Sequence, residues 1–120
     1  MAKGFQDLIV WQRAYDFALE IYKATKEFPK DELYGLTSQI RRATASISLN
    51  ISEGYERQHR KEYIQFLMIA KGSVGEVETC LMFSRDLKYL SVDGYEKLEG
   101  RRKEIARLLM GLLSSLKKEL

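Results

Sequence analysis

Nine basic side chains, in two groups, are the residues of this sequence best suited to do chemistry. Guanidinium and ammonium groups neutralise phosphate, and clusters of them are typical of proteins that bind a nucleic-acid backbone. The groups are Arg41, Arg42, Arg57, Arg60 and Lys61, then Arg101, Arg102, Lys103 and Arg107. Residues 41–71 hold six basic and three acidic side chains, and residues 97–120 hold seven and three. The pattern predicts a nucleic-acid-binding surface, and the plainer alternative is solvated helix faces.

Arg41 and Arg42 also have a second interpretation. Either could form an ion pair with Glu53 or Glu76 at a contact between subunits, so binding and assembly both stay open for these arginines. Asn50 is expected to make a buried polar contact that fixes the register of two helices. Glu53 is expected to pair with an arginine.

Motifs for catalysis or metal binding are weak. Glu56 and His59 have the Glu-x-x-His spacing of di-iron bundles, but such a site needs a second motif and two further carboxylates, and the chain has one histidine. Cys80 lies in an apolar helical pattern, which is typical of a core residue rather than a nucleophile. Residues 72–75 lack the length and the following Lys-Ser/Thr of a phosphate loop. We therefore predict no enzymatic activity, no metal and no cofactor.

Four stretches carry apolar residues at every third or fourth position, which predicts helices at about 7–26, 32–56, 61–90 and 92–118. The second is rich in Ser, Thr and Asn, which are mediocre helix formers, so its stability is expected to come from packing. Over residues 46–52 the apolar residues alternate instead, which favours a strand. We prefer a helix, because the helical spacing covers all of residues 36–54 and no other segment offers a strand partner.

Single residues mark several helix ends and contacts. Pro29 is expected to close the first helix, and Gly54 is interpreted as a C-terminal signal of the second. Gly72 and Gly75 interrupt the third pattern and indicate a close helix approach or a kink. Ser91 is the predicted N-cap of the fourth helix.

Long helices with short connections predict a single all-α domain over residues 1–120, an antiparallel up-and-down four-helix bundle. The apolar surface exceeds what one buried face needs, and exposed Leu49, Ile69, Phe83 or Leu113 would favour self-association. A homo-oligomer is therefore expected. The single cysteine, the lack of an apolar run of membrane-spanning length and the N-terminus without a secretory signal are typical of a cytoplasmic protein.

The most specific signal is a set of short motifs between Phe5 and Leu90. They are Phe5-x-x-Leu8-x-Val10-Trp11, Phe28-Pro29, Glu32-x-Tyr34-Gly35-Leu36, Gln39-Ile40-Arg41-Arg42-Ala43, Ser46-Ile47-x-x-Asn50-Ile51-x-Glu53-Gly54 and Gly72-Ser73-x-x-Glu76. Together they resemble the four-helix-bundle family encoded by intervening sequences within bacterial 23S rRNA genes. The chain departs from the usual pattern at Ser48, where proline is common, and at Ser52, where alanine is usual.

This resemblance implies a bundle that assembles into a ring-shaped homopentamer. It also implies kinship to the accessory variability proteins of diversity-generating retroelements, which resemble basic pentamers that bind nucleic acid and a reverse transcriptase. No catalytic residues come with it. We therefore expect a non-enzymatic homo-oligomer that binds RNA or DNA through the nine basic residues. The alternative is an interaction scaffold or accessory subunit, for a reverse transcriptase or for ribosome assembly, without nucleic-acid affinity of its own.

Overall fold

The computed structural model describes residues 3–120, and this part of the chain contains helices and no strand. The α-helices are α1 at Ile9–Thr25, α2 at Leu36–Glu56, α3 at Arg60–Asp86 and α4 at Val92–Lys118. Short 3₁₀ turns at Phe5–Asp7 and Lys30–Glu32 precede α1 and α2. Residues 46–52 lie within α2, so the alternative of a strand there is wrong.

Two helix ends differ from those predicted. α2 begins at Leu36 because residues 30–32 form a separate 3₁₀ turn, and the Glu32 carboxylate accepts a hydrogen bond from the Leu36 backbone N–H at 3.1 Å. α3 ends at Asp86 because Lys88 has a positive φ of 64°, and the next two backbone N–H groups turn back to the Ser84 carbonyl. Such a reversal is typical of a helix C-terminus.

The helices form a four-helix bundle, as predicted. Each helix packs against the next along the chain, and α4 also packs against α1. Within residues 3–120 no contact joins α1 to α3 or α2 to α4, so these pairs lie diagonally across the bundle. The bundle measures 45 × 24 × 21 Å. None of the described helices is both long and apolar enough to cross a membrane.

The core is built from one apolar stripe of each helix. Phe17, Ile47, Leu81 and Leu109 are fully buried examples from the four helices, and burying a side chain of this size contributes about 1.5–3 kcal/mol. Cys80 also lies in this core, where burial raises the pKa of its thiol. Its position is that of a packing residue.

The hydroxyl-rich part of α2 packs closely on α3. Ser73 Oγ donates a hydrogen bond to Ser46 Oγ at 3.0 Å, and Asn50 Nδ2 donates to the same hydroxyl at 2.9 Å. The first of these bonds joins α3 to α2, and the second lies within α2. Asn50 itself bonds only to Ser46 of its own helix among the described residues and is half-buried, so the expectation that it fixes the register of two helices is wrong.

Gly54 has a different role from the one predicted. It lies inside α2, which continues to Glu56, and the chain reverses at Gln58 with a φ of 64°. A Cβ on Gly54 would lie 2.8 Å from Phe66 Cβ and 3.1 Å from Tyr63 Cδ1. The interpretation as a helix stop is therefore wrong: glycine is needed here because α3 leaves no room for a side chain.

Three of the four apolar residues expected on the surface are there. Leu49, Ile69 and Phe83 are 64%, 52% and 56% exposed, whereas Leu113 is 2% exposed and belongs to the core. The expectation for Leu113 is therefore wrong, because it faces the other helices.

Gly72 and Gly75 lie on the outer side of α3, which runs through both without interruption. A Cβ on either would meet no atom of the described chain within 4 Å. The close approach indicated by these glycines is therefore not made inside the bundle.

Candidate nucleic-acid interface

Arg41 joins α2 to the end of α1. Its Nε donates a hydrogen bond to Thr25 Oγ1 at 2.8 Å, and its guanidinium carbon lies 4.9 Å from the centre of the Tyr22 ring. A cation above an aromatic face is attracted by the ring quadrupole. Arg41 is therefore half-buried and partly engaged within the chain.

Arg42 is exposed and begins a chain of polar contacts between α2 and α3. Its Nη2 donates to Gln39 Oε1 at 3.3 Å, and Gln39 Nε2 donates to the Glu76 carboxylate. Glu53, the other acid considered for this arginine, lies 3.2 Å from Arg57 instead. Among residues 3–120, Arg42 thus reaches Glu76 only through Gln39.

Three further predicted residues are partly exposed arginines whose charge is already paired. The pairs are Arg57–Glu53 at 3.2 Å, Arg60–Glu119 at 2.7 Å and Arg101–Glu20 at 2.8 Å. Exposed pairs of this kind contribute only about 0–1 kcal/mol to stability. They nevertheless bring the local net charge near zero, which weakens each as an attraction for phosphate.

Arg102 does not lie on the exposed basic face to which we assigned it. Only 7% of the residue is exposed. Its guanidinium forms ion pairs with Glu99 at 2.6 Å and with Glu78 of α3 at 3.1 Å, and the hydrogen bonds that it donates to Glu99 are the main cause that raises its pKa. The assignment of Arg102 to a binding surface is therefore wrong, because it is a buried link between α3 and α4.

The last three predicted residues, Lys61, Lys103 and Arg107, are exposed and form no ion pair with any described residue. Lys103 and Arg107 are four residues apart on α4 and so share one face. Lys117 follows Lys103 by fourteen residues, about four helical turns, and returns to that face.

A lysine of α3 joins this face at the C-terminal end of α4. An open groove of about 400 Å³ lies between the two helices, lined by Met68, Lys71, Met110, Leu113, Ser114, Lys117 and Lys118. Three ammonium groups therefore border a largely apolar groove. We call Lys71, Lys103, Arg107, Lys117 and Lys118 together the basic strip.

The acidic residues that neighbour the basic strip in sequence do not neutralise it. Glu104 pairs with Arg13 of α1 at 3.4 Å, and Glu119 pairs with Arg60 at 2.7 Å. Within residues 3–120, no carboxylate lies within ion-pair distance of a strip cation. The strip therefore presents five uncompensated positive charges at neutral pH.

The predicted site and the basic strip overlap only at Lys103 and Arg107. A readable signal existed for Arg102, because it follows Leu98 by four residues and precedes Ile105 by three, which places it on the buried stripe of α4. Lys117 could have been found from its spacing to Lys103. Lys71 could not, since only the packing of α3 on α4 brings it to the groove.

The motif Glu56-x-x-His59 does not form part of a larger cluster. Both residues are exposed, one at the end of α2 and the other just before α3. Within residues 3–120 no group of three or more His, Cys, Asp and Glu side chains is placed to hold a metal ion.

The fold and the surface define an all-α four-helix bundle with one strongly basic face. The sequence matches the 23S rRNA-intervening sequence protein family over residues 6–111, and the chain belongs to that family. The resemblance stated above is thus confirmed.

A solved structure from Bacteroides thetaiotaomicron has the same fold. It is described as a protein of unknown function from the S23 ribosomal protein family. It matches with a TM-score of 0.82 and 27% sequence identity, over 88% of this chain and 96% of that chain. No curated protein matches the sequence.

Proposed function

We propose that this protein is a non-enzymatic homo-oligomer that binds RNA or DNA through the basic strip. The observation that carries the proposal is the placement of five exposed cations on one side of the bundle, with no paired acid among the described residues. Nucleic-acid backbone is the polyanion that such a surface attracts without needing a shaped pocket. Of the residues predicted from the sequence, Lys103 and Arg107 belong to the proposed site and Arg102 does not. The proposed site also includes Lys71, Lys117 and Lys118, which were not predicted.

The other predicted residues have smaller parts in this proposal. Arg57, Arg60 and Arg101 would first have to release their acidic partners. Arg41, Arg42 and Lys61 lie outside the basic strip. We expect them to add to long-range attraction more than to direct contact.

Self-association is supported by two apolar stripes on opposite sides of the bundle. Ile69 and Phe83 are exposed on α3, and Tyr15 and Leu19 are exposed on α1, which lies diagonally across. A closed ring needs two different patches that complement each other, whereas a symmetric dimer needs only one. This arrangement supports a ring, and the family resemblance makes a pentamer the expected copy number.

The first test is fluorescence anisotropy with a structured RNA and a DNA duplex, titrated from about 50 to 200 mM salt. We expect a Kd below about 1 µM at low salt and a steep loss of affinity as salt rises, because each neutralised phosphate releases counterions. The double variant Lys103→Glu/Arg107→Glu should weaken binding at least about tenfold.

The matched control is Lys23→Glu/Lys97→Glu, which changes the net charge equally at two exposed lysines off the strip. We expect less than about a threefold loss for it, through long-range attraction alone. Equal losses in both variants would show attraction by net charge without a site. No binding by the wild type at 50 mM salt would overturn the proposal and favour the scaffold.

A further inference from the structure

A small open pocket lies where the end of α1, the turn that follows it and the start of α2 meet. Its volume is about 130 Å³, and its polar and charged lining residues are Thr25, Lys26, Lys30, Thr37 and Arg41. Cavities that hold drug-sized ligands measure about 300–1,000 Å³, so this pocket has room for a small ion or a single chemical group. None of its residues belongs to the basic strip, which lies on α3 and α4.

The charged side chains of this pocket are all positive. Lys26, Lys30 and Arg41 line it, and no described carboxylate does. None of these three cations forms an ion pair with any residue of the described chain. At neutral pH the pocket therefore attracts anions.

The acidic residues of the same segment are directed to other surfaces. Glu32 accepts hydrogen bonds from the Leu36 backbone N–H and the Tyr89 hydroxyl. The bond to Glu32 raises the pKa of Tyr89, and the charge of Asp31 adds to this effect, which places Asp31 on the same side. Glu27 lines the groove between α1 and α4. These acids thus leave the charge of the pocket uncompensated.

Arg41 is held in place by groups at the end of α1. Its Nε donates a hydrogen bond to Thr25 Oγ1 at 2.8 Å, and its Nη2 donates to the Tyr22 carbonyl at 3.4 Å. Thr25 is 3% exposed and is itself fixed by a hydrogen bond to the Ile21 carbonyl at 2.8 Å. A guanidinium has more N–H groups than these bonds use, so donors remain for a ligand. Because the side chain is already ordered, it loses little conformational freedom on binding.

Thr37 adds a buried polar group that has no partner. It is 2% exposed, and its hydroxyl forms no hydrogen bond with any described residue. A buried hydroxyl that stays unpaired is costly, and such groups in native proteins call for an explanation. Since Thr37 lines a pocket bordered by three cations, the acceptor that these surroundings favour is an oxygen of a bound anion.

We infer that this pocket binds a phosphate group, either as free inorganic phosphate or as a terminal phosphate monoester. A phosphate carries nearly two negative charges at neutral pH and several strong acceptor oxygens, which match three cations and an unpaired hydroxyl. A carboxylate has one charge and two oxygens, so it satisfies fewer of these donors. The site is separate from the basic strip and does not depend on the proposed function.

Isothermal titration calorimetry of the whole protein with sodium phosphate, at about pH 7.5 and fixed ionic strength, measures the affinity. We expect a Kd of about 1 mM or lower, and acetate should bind at least about tenfold more weakly. A wild type that gives no heat of binding with about 10 mM phosphate would overturn the inference.

Two adjacent arginines of α2 provide a matched pair of variants. Arg41→Gln and Arg42→Gln each remove one positive charge, but only Arg41 lines the pocket. We expect Arg41→Gln to weaken phosphate binding at least about tenfold and Arg42→Gln less than about twofold. Equal losses would show attraction by net charge and would overturn the site.

The two lysines of the pocket give a test that does not depend on the contacts of Arg41 within the chain. Lys26→Gln/Lys30→Gln should weaken phosphate binding at least about tenfold, and both positions are exposed, so folding is not at stake. The control Lys23→Gln/Lys97→Gln changes two exposed lysines outside the pocket and should cost less than about twofold. An unchanged Kd in the first variant would overturn the inference.

Thr37→Val removes the unpaired hydroxyl and keeps the shape of the side chain. The thermal stability of the phosphate-free protein should not fall, because that hydroxyl has no partner among the described residues. The affinity for phosphate should fall about three- to tenfold, since an acceptor oxygen loses its donor. A phosphate affinity equal to that of the wild type would place the ligand elsewhere and overturn the inference.

Adenosine 5′-monophosphate and adenosine distinguish the two sources of phosphate. If the monophosphate binds about as tightly as inorganic phosphate and adenosine does not bind, the site accepts a terminal monoester. If the monophosphate binds at least about tenfold more weakly, free phosphate is the ligand. The variant Lys103→Glu/Arg107→Glu should keep the phosphate Kd within about twofold, so this inference and the proposed function stand or fall separately.

Discussion

Arg102 and Arg101 are adjacent in sequence, but their ion pairs differ in burial. Arg102 and Glu99 form a nearly buried pair, to which the half-exposed Glu78 adds a second partner, whereas Arg101 forms a single, partly exposed pair with Glu20. Removal of one partner from a buried pair leaves an uncompensated charge, which is far costlier than loss of an exposed pair.

We therefore expect Arg102→Met to lower the free energy of unfolding by about 3 kcal/mol and Arg101→Met by less than about 1 kcal/mol. Urea denaturation at one fixed protein concentration measures both. Equal losses from the two variants would contradict the burial of Arg102.

The same substitution, glycine to alanine, should have opposite effects on stability at Gly54 and at Gly100. Gly54→Ala should lower the free energy of unfolding by about 1–3 kcal/mol, because the added methyl group overlaps Phe66 and Tyr63. Gly100→Ala, on an exposed position of α4 where the new Cβ would meet nothing within 4 Å among the described residues beyond the nearby backbone of α4, should raise it by about 0.5–1 kcal/mol. Thermal unfolding of the two variants checks the opposite signs.

At the scale of a helix, the start of α2 depends on the ionisation of one side chain. Glu32 accepts hydrogen bonds from the Leu36 backbone N–H at 3.1 Å and from the Tyr89 hydroxyl at 2.8 Å, and these bonds lower its pKa. A carboxyl with a lowered pKa in the folded state adds stability above its unfolded pKa, and this is lost as the pH falls through the folded value.

The variant Glu32→Gln should therefore be less stable than the wild type at pH 7, and the difference should shrink as the pH falls below the unfolded glutamate pKa of about 4.3 and through the lower pKa of folded Glu32. Unfolding midpoints measured from pH 7 to pH 3 report the difference. Glu96→Gln, at an exposed glutamate with no hydrogen-bonded partner among the described residues, serves as the control. A wild-type advantage as large at pH 3 as at pH 7 would contradict a role for the charge of Glu32.

The helices themselves were largely predictable because their apolar spacing is regular. Their ends were less so: the 3₁₀ turn before α2 and the positive φ of Lys88 depend on backbone geometry that no residue type there demands. Gly54 shows the limit of local rules, since a glycine near a helix end is typical of a stop, yet here α3 requires it.

The site was predictable as a basic region but not as a surface. The positive charges of Arg60 and Arg101 are compensated by ion pairs with Glu119 and Glu20. Because these acids are distant in sequence, only the packed bundle reveals the pairs. The pair Arg57–Glu53 is different, because its spacing of four residues was visible in the sequence.

For the whole molecule, the two apolar stripes give a test of how copies assemble. Ile69→Gln/Phe83→Gln alters the α3 stripe, and Tyr15→Gln/Leu19→Gln alters the α1 stripe. Because these residues are exposed in the bundle, helix content should be unchanged while the mass of the oligomer falls in each variant. Light scattering after size-exclusion chromatography measures the mass, and Val92→Gln, an exposed residue outside both stripes, is the control.

A mixture of the two variants identifies the type of interface. In a ring, one intact α1 stripe meets one intact α3 stripe, so the mixture should form a discrete dimer although each variant alone does not. If the α3 stripe instead made a symmetric dimer, the α1 variant would stay dimeric alone and mixing would add nothing.

Because Gly72 and Gly75 have no side chains, hydrogen exchange of the α3 backbone at these residues can report on assembly. Without side chains, the amide groups on this outer face are shielded from solvent only by the helix itself. In the monomer, at low protein concentration, their hydrogens should exchange with deuterated solvent through local opening of the helix. In the oligomer, they should be protected if another copy covers them. The exchange rates at Gly72 and Gly75 would then report whether another copy of the protein covers this part of α3.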